Sequence, residues 1–173
     1  MMKNIKLRTI NKGDTDIILK WRNSKAVVDN FIDRRPVTKD IHLNWYKTKI
    51  QTGKVVQFIA YDQLNKKNFA STYLKDIDKT HKKAEFGIFI GEDEYRSKGF
   101  GKIITKQTLN FGFKKLKLNK IYARVLTYNS PSYNMFKNLG FKQDALLRED
   151  VIIKNKKYDV YIMSILKSDY KNR

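Results

Sequence analysis

The chain has 173 residues, no cysteine and a formal net charge of +20. Without cysteine it can hold neither a disulfide nor a thiolate metal site, and no apolar run approaches the roughly 20 residues that cross a bilayer as a helix. The length fits one domain, residues 1–173, with a full hydrophobic core, and 37 Lys and Arg against 17 Asp and Glu direct attention to anionic partners.

Residues 6–10 alternate in polarity and predict a first strand. The charges interleaved from the start are unlike a cleavable leader, so a cytoplasmic protein is expected. Asp14 is placed to cap a helix over residues 15–23, with Ile17, Ile18 and Trp21 as its apolar stripe. Residues 30–37 read as a loop punctuated by Pro36. Thr38 can cap a second helix, 39–50, which sets His42 and Trp45 one turn apart. Residues 55–61, 69–74 and 84–90 predict a meander of three strands.

The last of these strands runs into Tyr95-Arg96-Ser97-Lys98-Gly99-Phe100-Gly101-Lys102. This stretch reads as a strand end, a basic glycine loop and the start of the longest helix, 102–118. A strand over 121–126 follows. Ser130 can cap a short helix with Pro131 at its first position, and Leu139-Gly140 ends it. Strands 141–147 and 158–166 close around a turn at Asn155. The order predicts an α/β fold with a mixed sheet, and neither repeat nor linker interrupts it.

The glycine loop carries the first functional signal. Two glycines one residue apart let the backbone turn tightly and approach a ligand. The helix behind them aims free N–H groups and its positive dipole end into the loop, which makes a phosphate cradle. The pattern is not a P-loop, because Ile103 follows Gly101-Lys102 where Ser or Thr is required. It is not the dinucleotide fingerprint, because Ile104 stands at the third glycine position. The lysines are scattered, with no arginine-rich arm and no aromatic-basic repeat, so charge alone motivates a nucleic-acid reading and nucleic acid is not the expected partner. An anionic small ligand, such as coenzyme A or a nucleotide sugar, gains from the same field.

The spacing Arg96-x-x-Gly99-x-Gly101 resembles the pyrophosphate loop of the GNAT family of N-acetyltransferases. A second block, Asn129-Ser130-Pro131-Ser132-Tyr133-Asn134-Met135-Phe136-Lys137-Asn138-Leu139-Gly140-Phe141, resembles the later block of the same family. The two stand in the family's order, with one helix and one strand between them, and the resemblance covers nearly the whole chain. It implies a single GNAT-like domain with a mostly antiparallel sheet and helices on both faces. It also implies acetyl transfer from acetyl-CoA to a primary amine by direct attack. The pyrophosphate would fall to Arg96, Ser97, Lys98, Gly99, Phe100 and Gly101. Pantetheine would lie along the backbone of Phe89, Ile90 and Gly91, with Asn129 bonding to it. Glu85, on the strand leading to the cofactor, is the candidate base, directly or through water. The family commonly has a tyrosine seven residues after that Asn, acting as general acid; here the position is Phe136, which has no proton to give. Tyr133, one turn earlier, could replace it.

Trp21-Arg22-Asn23, His42 with Trp45, and the ending Lys157-Tyr158-Asp159-Val160-Tyr161-Ile162-Met163 resemble two branches of that family. One acetylates ribosomal-protein N-termini; the other, PseH-like, acetylates nucleotide-linked amino sugars. Some relatives acetylate polyamines, but a +20 protein repels a polycation and attracts a nucleotide diphosphate. Arg22 could reach a phosphate or a uracil carbonyl, Trp21 or Trp45 could form a flat wall, and His42 could add a hydrogen bond. The expected acceptor is therefore a nucleotide-linked amino sugar. A peptide N-terminus is the alternative acceptor, and a catalytically silent acetyl-CoA-binding module the alternative function. The expected partners are this small molecule and a second copy in a homodimer, with no membrane.

Overall fold

A computed structural model of the chain describes residues 4–171. Seven strands form one sheet: β1 (Ile5–Thr9), β2 (Val56–Asp62), β3 (Lys67–Asp78), β4 (Lys83–Ile90), β5 (Lys120–Leu126), β6 (Lys142–Ile153) and β7 (Lys156–Leu166). Their order is β1-β2-β3-β4-β5-β7-β6. Every neighbouring pair is antiparallel except β4 with β5. A parallel pair needs a crossover, and α4 (Phe100–Lys114) supplies it.

Strand alternation sorts the side chains to two faces. On one, Leu109 and Phe113 of α4 bury against Leu74, Phe86, Ile121 and Met163, joined by Phe136 of α5 (Ser130–Asn138). Fully burying each such large side chain contributes roughly 1.5–3 kcal/mol. On the other face, Ile18 and Trp21 of α1 (Thr15–Arg22) pack on Ile59 and Phe89, with Val27 of α2 (Lys25–Val28). The helix α3 (Lys39–Trp45) lies beside α1. The expected α/β class, with helices on both faces of a mostly antiparallel sheet, is what the chain forms.

Local chemistry moves several expected boundaries. Asp14 precedes α1 but does not cap it. Its carboxylate instead accepts from the Asn11 N–H at 2.8 Å and from Arg8 at 2.8 and 2.6 Å. The second helix stops being α-helical at Trp45, because residues Tyr46–Ile50 form a π-turn in which the Gln51 N–H donates to the Tyr46 carbonyl. Asn129, not Ser130, caps α5: its Oδ1 accepts from the Ser132 N–H at 3.2 Å. β6 extends past the expected end at residue 147 through a register shift between Leu147 and Val151. Its polar run Arg148-Glu149-Asp150 looks like a loop in sequence. In the fold Glu149 takes φ 51° and its N–H donates to Asp159 Oδ1 at 2.7 Å. A short helix α6 (Lys167–Lys171), not expected from the sequence, ends the described chain.

Candidate active site

The site begins where the parallel strands part. β4 and β5 pair only over Lys83↔Lys120, Ala84↔Ile121 and Glu85↔Tyr122. On its other side β4 stays paired with β3 as far as Ile90↔Ala70. From residue 86 to 90, β4 therefore has no strand partner on the β5 side, and its backbone groups there open onto a wedge. A cavity of about 830 Å³ fills it, lined by Ile88, Phe89 and Ile90 of β4 and by Ala123, Arg124 and Val125 of β5.

At one end the wedge meets the glycine loop. Ser97 (φ 57°) and Gly99 (φ 82°) both adopt the left-handed conformation, which curls the chain into the start of α4. Only glycine takes this shape without strain. Ser97, Gly99, Gly101 and Lys102 line the cavity, as do Asn129 and Ser132 at the start of α5. Of the first-turn N–H groups of α4, that of Lys102 donates to the Gly99 carbonyl at 3.2 Å; a phosphate is the natural ligand for the others at such a terminus.

Not every residue expected here faces the ligand. The Arg96 guanidinium lines the cavity, but its Nε and Nη2 donate to the Ile90 carbonyl at 3.0 and 2.9 Å and Nη1 pairs with Asp93. Arg96 therefore stitches the loop to the end of β4. Lys98 is exposed and outside the cavity wall, and Lys102 is the cation that lies there. The Phe100 ring packs on Phe69 and Tyr95, 5.5 and 5.2 Å between centroids, so it belongs to the core. The Gly91 N–H donates to Phe69 O at 2.8 Å and is already occupied. A Cβ on Gly91 would fall 2.1 Å from Trp21 Cγ. That contact also corrects the expectation for Trp21. It is 0 % exposed, its indole N–H donates to Glu92 Oε1 at 2.7 Å, and it forms no wall of the cavity. Asn23 likewise lies outside the cavity, where its side chain donates to Val37 O at 2.9 Å and accepts from Val37 N–H at 2.8 Å. Tyr133, expected as an acid, points away: its hydroxyl donates to Gln143 Oε1 at 3.2 Å and its ring packs on Tyr161. Phe136 does line the cavity.

At the other end of the wedge the structure brings Arg22, His42, Trp45 and Glu85 together, as the sequence suggested. The Arg22 guanidinium sits 3.7 Å from the centroid of the Phe31 ring, and Nη2 donates to the Asp33 carbonyl at 3.4 Å. Its Nη1 is buried with no partner. His42 is 3 % exposed and its Nε2 is also buried without a partner. Burial lowers the His42 pKa against the pull of Asp14, so the ring is neutral near pH 7. The Trp45 indole N–H donates to Gln57 Oε1 at 3.3 Å.

Among the cavity-lining residues not singled out from sequence are Gln57, Tyr73, Lys75 and Arg124. Lys75 pairs with Glu85 at 3.1 Å. Arg124 pairs with Asp150. The Tyr73 ring lies across Gly87, whose Cβ would fall 2.2 Å from Tyr73 Cζ. The phenol thus enters the cavity one residue beyond Phe86, where β4 and β5 have just parted. Burial, then the Glu85 carboxylate, push its pKa up to about 12, so it stays a neutral hydrogen-bonding hydroxyl. Gly87 in a strand interior was the available signal, since such a glycine often marks a close approach.

The comparisons agree with this geometry. Residues 4–142 match the model of the acetyltransferase (GNAT) domain. A spermidine N(1)-acetyltransferase of Vibrio cholerae serotype O1 is 28% identical over 173 residues, covering 100% of this chain and 99% of that protein. One of Escherichia coli K12 is 24% identical over 168 residues, 96% of this chain and 88% of the other. The crystal structure of the spermidine N-acetyltransferase from Vibrio cholerae in complex with CoA and spermine superposes with a TM-score of 0.91 at 28% identity. That superposition covers 98% of this chain and 99% of the other. A wedge between parallel strands, a left-handed glycine loop before α4 and a family match over most of the length lead to one conclusion: the chain belongs to the GNAT acetyltransferases and is an acetyl-CoA-dependent N-acetyltransferase.

Proposed function

We propose that the acceptor is a primary amine carried on an anionic molecule, with a nucleotide-linked amino sugar as its best representative. The observation that carries this reading is the buried, unpartnered Nη1 of Arg22 in the acceptor end of the cavity. A buried charged donor left unpaired is costly, and an anionic ligand relieves it. Both carboxylates lining the cavity are already engaged: Lys75 holds Glu85, and hydrogen bonds from Arg35 keep the Asp33 carboxyl down at about 2. A polycation would have to displace those cations inside a protein of net charge +20. The similarity to spermidine acetyltransferases along the whole chain favours a second reading, a polyamine acceptor.

In either case the chain's own groups divide the work. The start of α4, with Lys102, holds the pyrophosphate of acetyl-CoA, and the β4 backbone from 86 to 89, short of the Ile90 carbonyl that Arg96 occupies, holds the pantetheine arm. A β4 N–H at the wedge donates to the thioester oxygen as negative charge develops there, an effect worth about 3–4 kcal/mol in other enzymes. Glu85 takes the proton that the amine nitrogen loses as its bond to the acetyl carbon forms and the C–S bond breaks. With Phe136 at the family's acid position, the thiolate leaves without a proton from that side chain.

A panel of a UDP-linked amino sugar, an N-terminal peptide and spermidine, followed by free-thiol release, tests the acceptor. Turnover of the UDP-linked amine is expected. Turnover confined to spermidine or to the peptide, or no thiol release with the UDP-linked amine, would overturn the assignment. Arg22→Ala is expected to raise KM for the UDP-linked amine about tenfold or more, the scale of one charged hydrogen bond.

A further inference from the structure

A second recess of about 400 Å³ lies against the acceptor end of the main cavity and shares two of its walls, Trp45 and Lys75. Its other lining residues are Lys49, Lys54, Val55, Asp76 and Ile77. Two backbone irregularities build it. The first is the π-turn at Tyr46–Ile50, which follows directly on Trp45 and carries Lys49. The second is the register shift of β3 against β4 between Lys75 and Asp78, where Asp76 takes φ 50°. Such features re-aim side chains and gather at functional sites. Both are tied down here. The Val55 N–H donates to the Lys49 carbonyl at 3.0 Å, and the Ile77 N–H donates to the Lys54 carbonyl at 3.5 Å.

Charge decides what the recess suits. Lys75 is matched by Glu85, and Lys49, Lys54 and Asp76 all stand on the exposed rim, two cations against one carboxylate. Among the described residues neither Lys49 nor Lys54 has an ion-pair partner. The balance is cationic, and Trp45 gives it one flat wall.

We propose that this recess seats an outer phosphate of the acceptor's carrier, beyond the anionic group that meets Arg22, while the acceptor amine lies at Glu85 on the other side of Lys75. The proposal rests on the reading of the acceptor as an amine on an anionic carrier, and gives that carrier a place separate from the pyrophosphate loop of acetyl-CoA. Lys49 and Lys54 bind the anion, Lys75 bridges it to the base, and Trp45 separates the two chambers.

The test uses the full chain saturated with CoA, so that the α4 loop is filled, and inorganic pyrophosphate as the probe in calorimetry. Wild-type protein is expected to bind it, and K49Q/K54Q to bind it about tenfold more weakly. K114Q/K115Q, the same charge loss at the far end of α4, is expected to bind it as wild type does. Equal binding by wild type and K49Q/K54Q, no binding by wild type, or an equal loss in both double variants would each overturn the proposal. Steady-state kinetics separates it from the acceptor assignment. Turnover of the UDP-linked amine with the same KM in K49Q/K54Q removes the recess and leaves the acceptor. Pyrophosphate binding lost in K49Q/K54Q, with no turnover of any nucleotide-linked amine, removes the acceptor assignment and leaves the recess as an anion site.

Discussion

At the α4 end of the wedge, most ligand-facing groups are backbone: the first N–H groups of α4, the left-handed turn at Ser97 and Gly99, and the edge of β4 from 86 to 89 that no strand pairs on the β5 side. At the other end they are side chains from separate elements, with Arg22 from α1, His42 and Trp45 from α3, Tyr73 and Lys75 from β3 and Glu85 from β4. The difference reflects what each end must recognise. A pyrophosphate and a pantetheine arm are the same in every acetyl-CoA, so fixed N–H groups suffice. An acceptor differs between enzymes, and side chains can change without disturbing the sheet. The two ends should therefore respond separately to substitution.

The largest expected effect lies at the acceptor end. Glu85→Gln keeps the size of the side chain and removes its capacity to accept a proton. It is expected to lower kcat/KM by about 10²–10⁴ and to abolish the acidic limb of its pH profile, while CoA affinity by calorimetry stays at the wild-type value. An acidic limb that survives in the variant would identify another group as its source.

The next effect belongs to the cofactor end. Gly99→Val forces a β-branched residue to φ 82°, at about 1–3 kcal/mol. If the bound loop needs that conformation, CoA affinity falls about tenfold to a hundredfold. The acceptor KM at saturating acetyl-CoA should hold steady. A parallel loss of both affinities would show that the two ends are one mechanical unit and would dissolve the comparison.

The same division governed what could be read from the sequence. The glycine loop was legible as a turn because its left-handed residues stand next to the helix they serve, but which side chains face the ligand was not: Arg96 is held by β4, Lys98 lies outside the wall, Phe100 joins the core and Lys102 lines the cavity. The sheet and its helices were legible from periodicity, although the capping of α5 shifted by one residue. The acceptor end was only half legible. His42 and Trp45 lie one turn apart on one helix and could be paired by spacing, while Arg22, on another helix, came from the resemblance alone. Tyr73 and Lys75 come from β3 and meet Glu85 and Gly87 only because β3 pairs with β4 in the register Tyr73↔Gly87 and Lys75↔Glu85. Nothing local in either strand states that register. The π-turn at Tyr46–Ile50 was hidden for a related reason: its residues fit a continuing α-helix as well as they fit the wider turn. Trp21 misled because a buried tryptophan and a pocket tryptophan look alike in sequence, and only the contact with Gly91 and Glu92 tells them apart.

The smallest effect is expected at Tyr133, which resemblance alone proposed as the acid. Its hydroxyl makes one hydrogen bond, to Gln143 Oε1 at 3.2 Å in an exposed setting, and its ring rests on Tyr161 at 4.9 Å between centroids. A single exposed neutral hydrogen bond contributes about 0.5–1.5 kcal/mol at most to stability, and replacing Tyr by Phe keeps the ring contact. The hydroxyl does not border the cavity, so nothing in its position lets it protonate a thiolate there. Tyr133→Phe is accordingly expected to leave kcat within about twofold of wild type. Tyr73→Phe offers the contrast, because that hydroxyl does enter the cavity over Gly87. Stopped-flow or steady-state thiol release on the two variants decides between them. A fall in kcat of about 10² or more in Tyr133→Phe alone would restore the acid to α5, and would mean that α5 turns toward the wedge when acetyl-CoA binds.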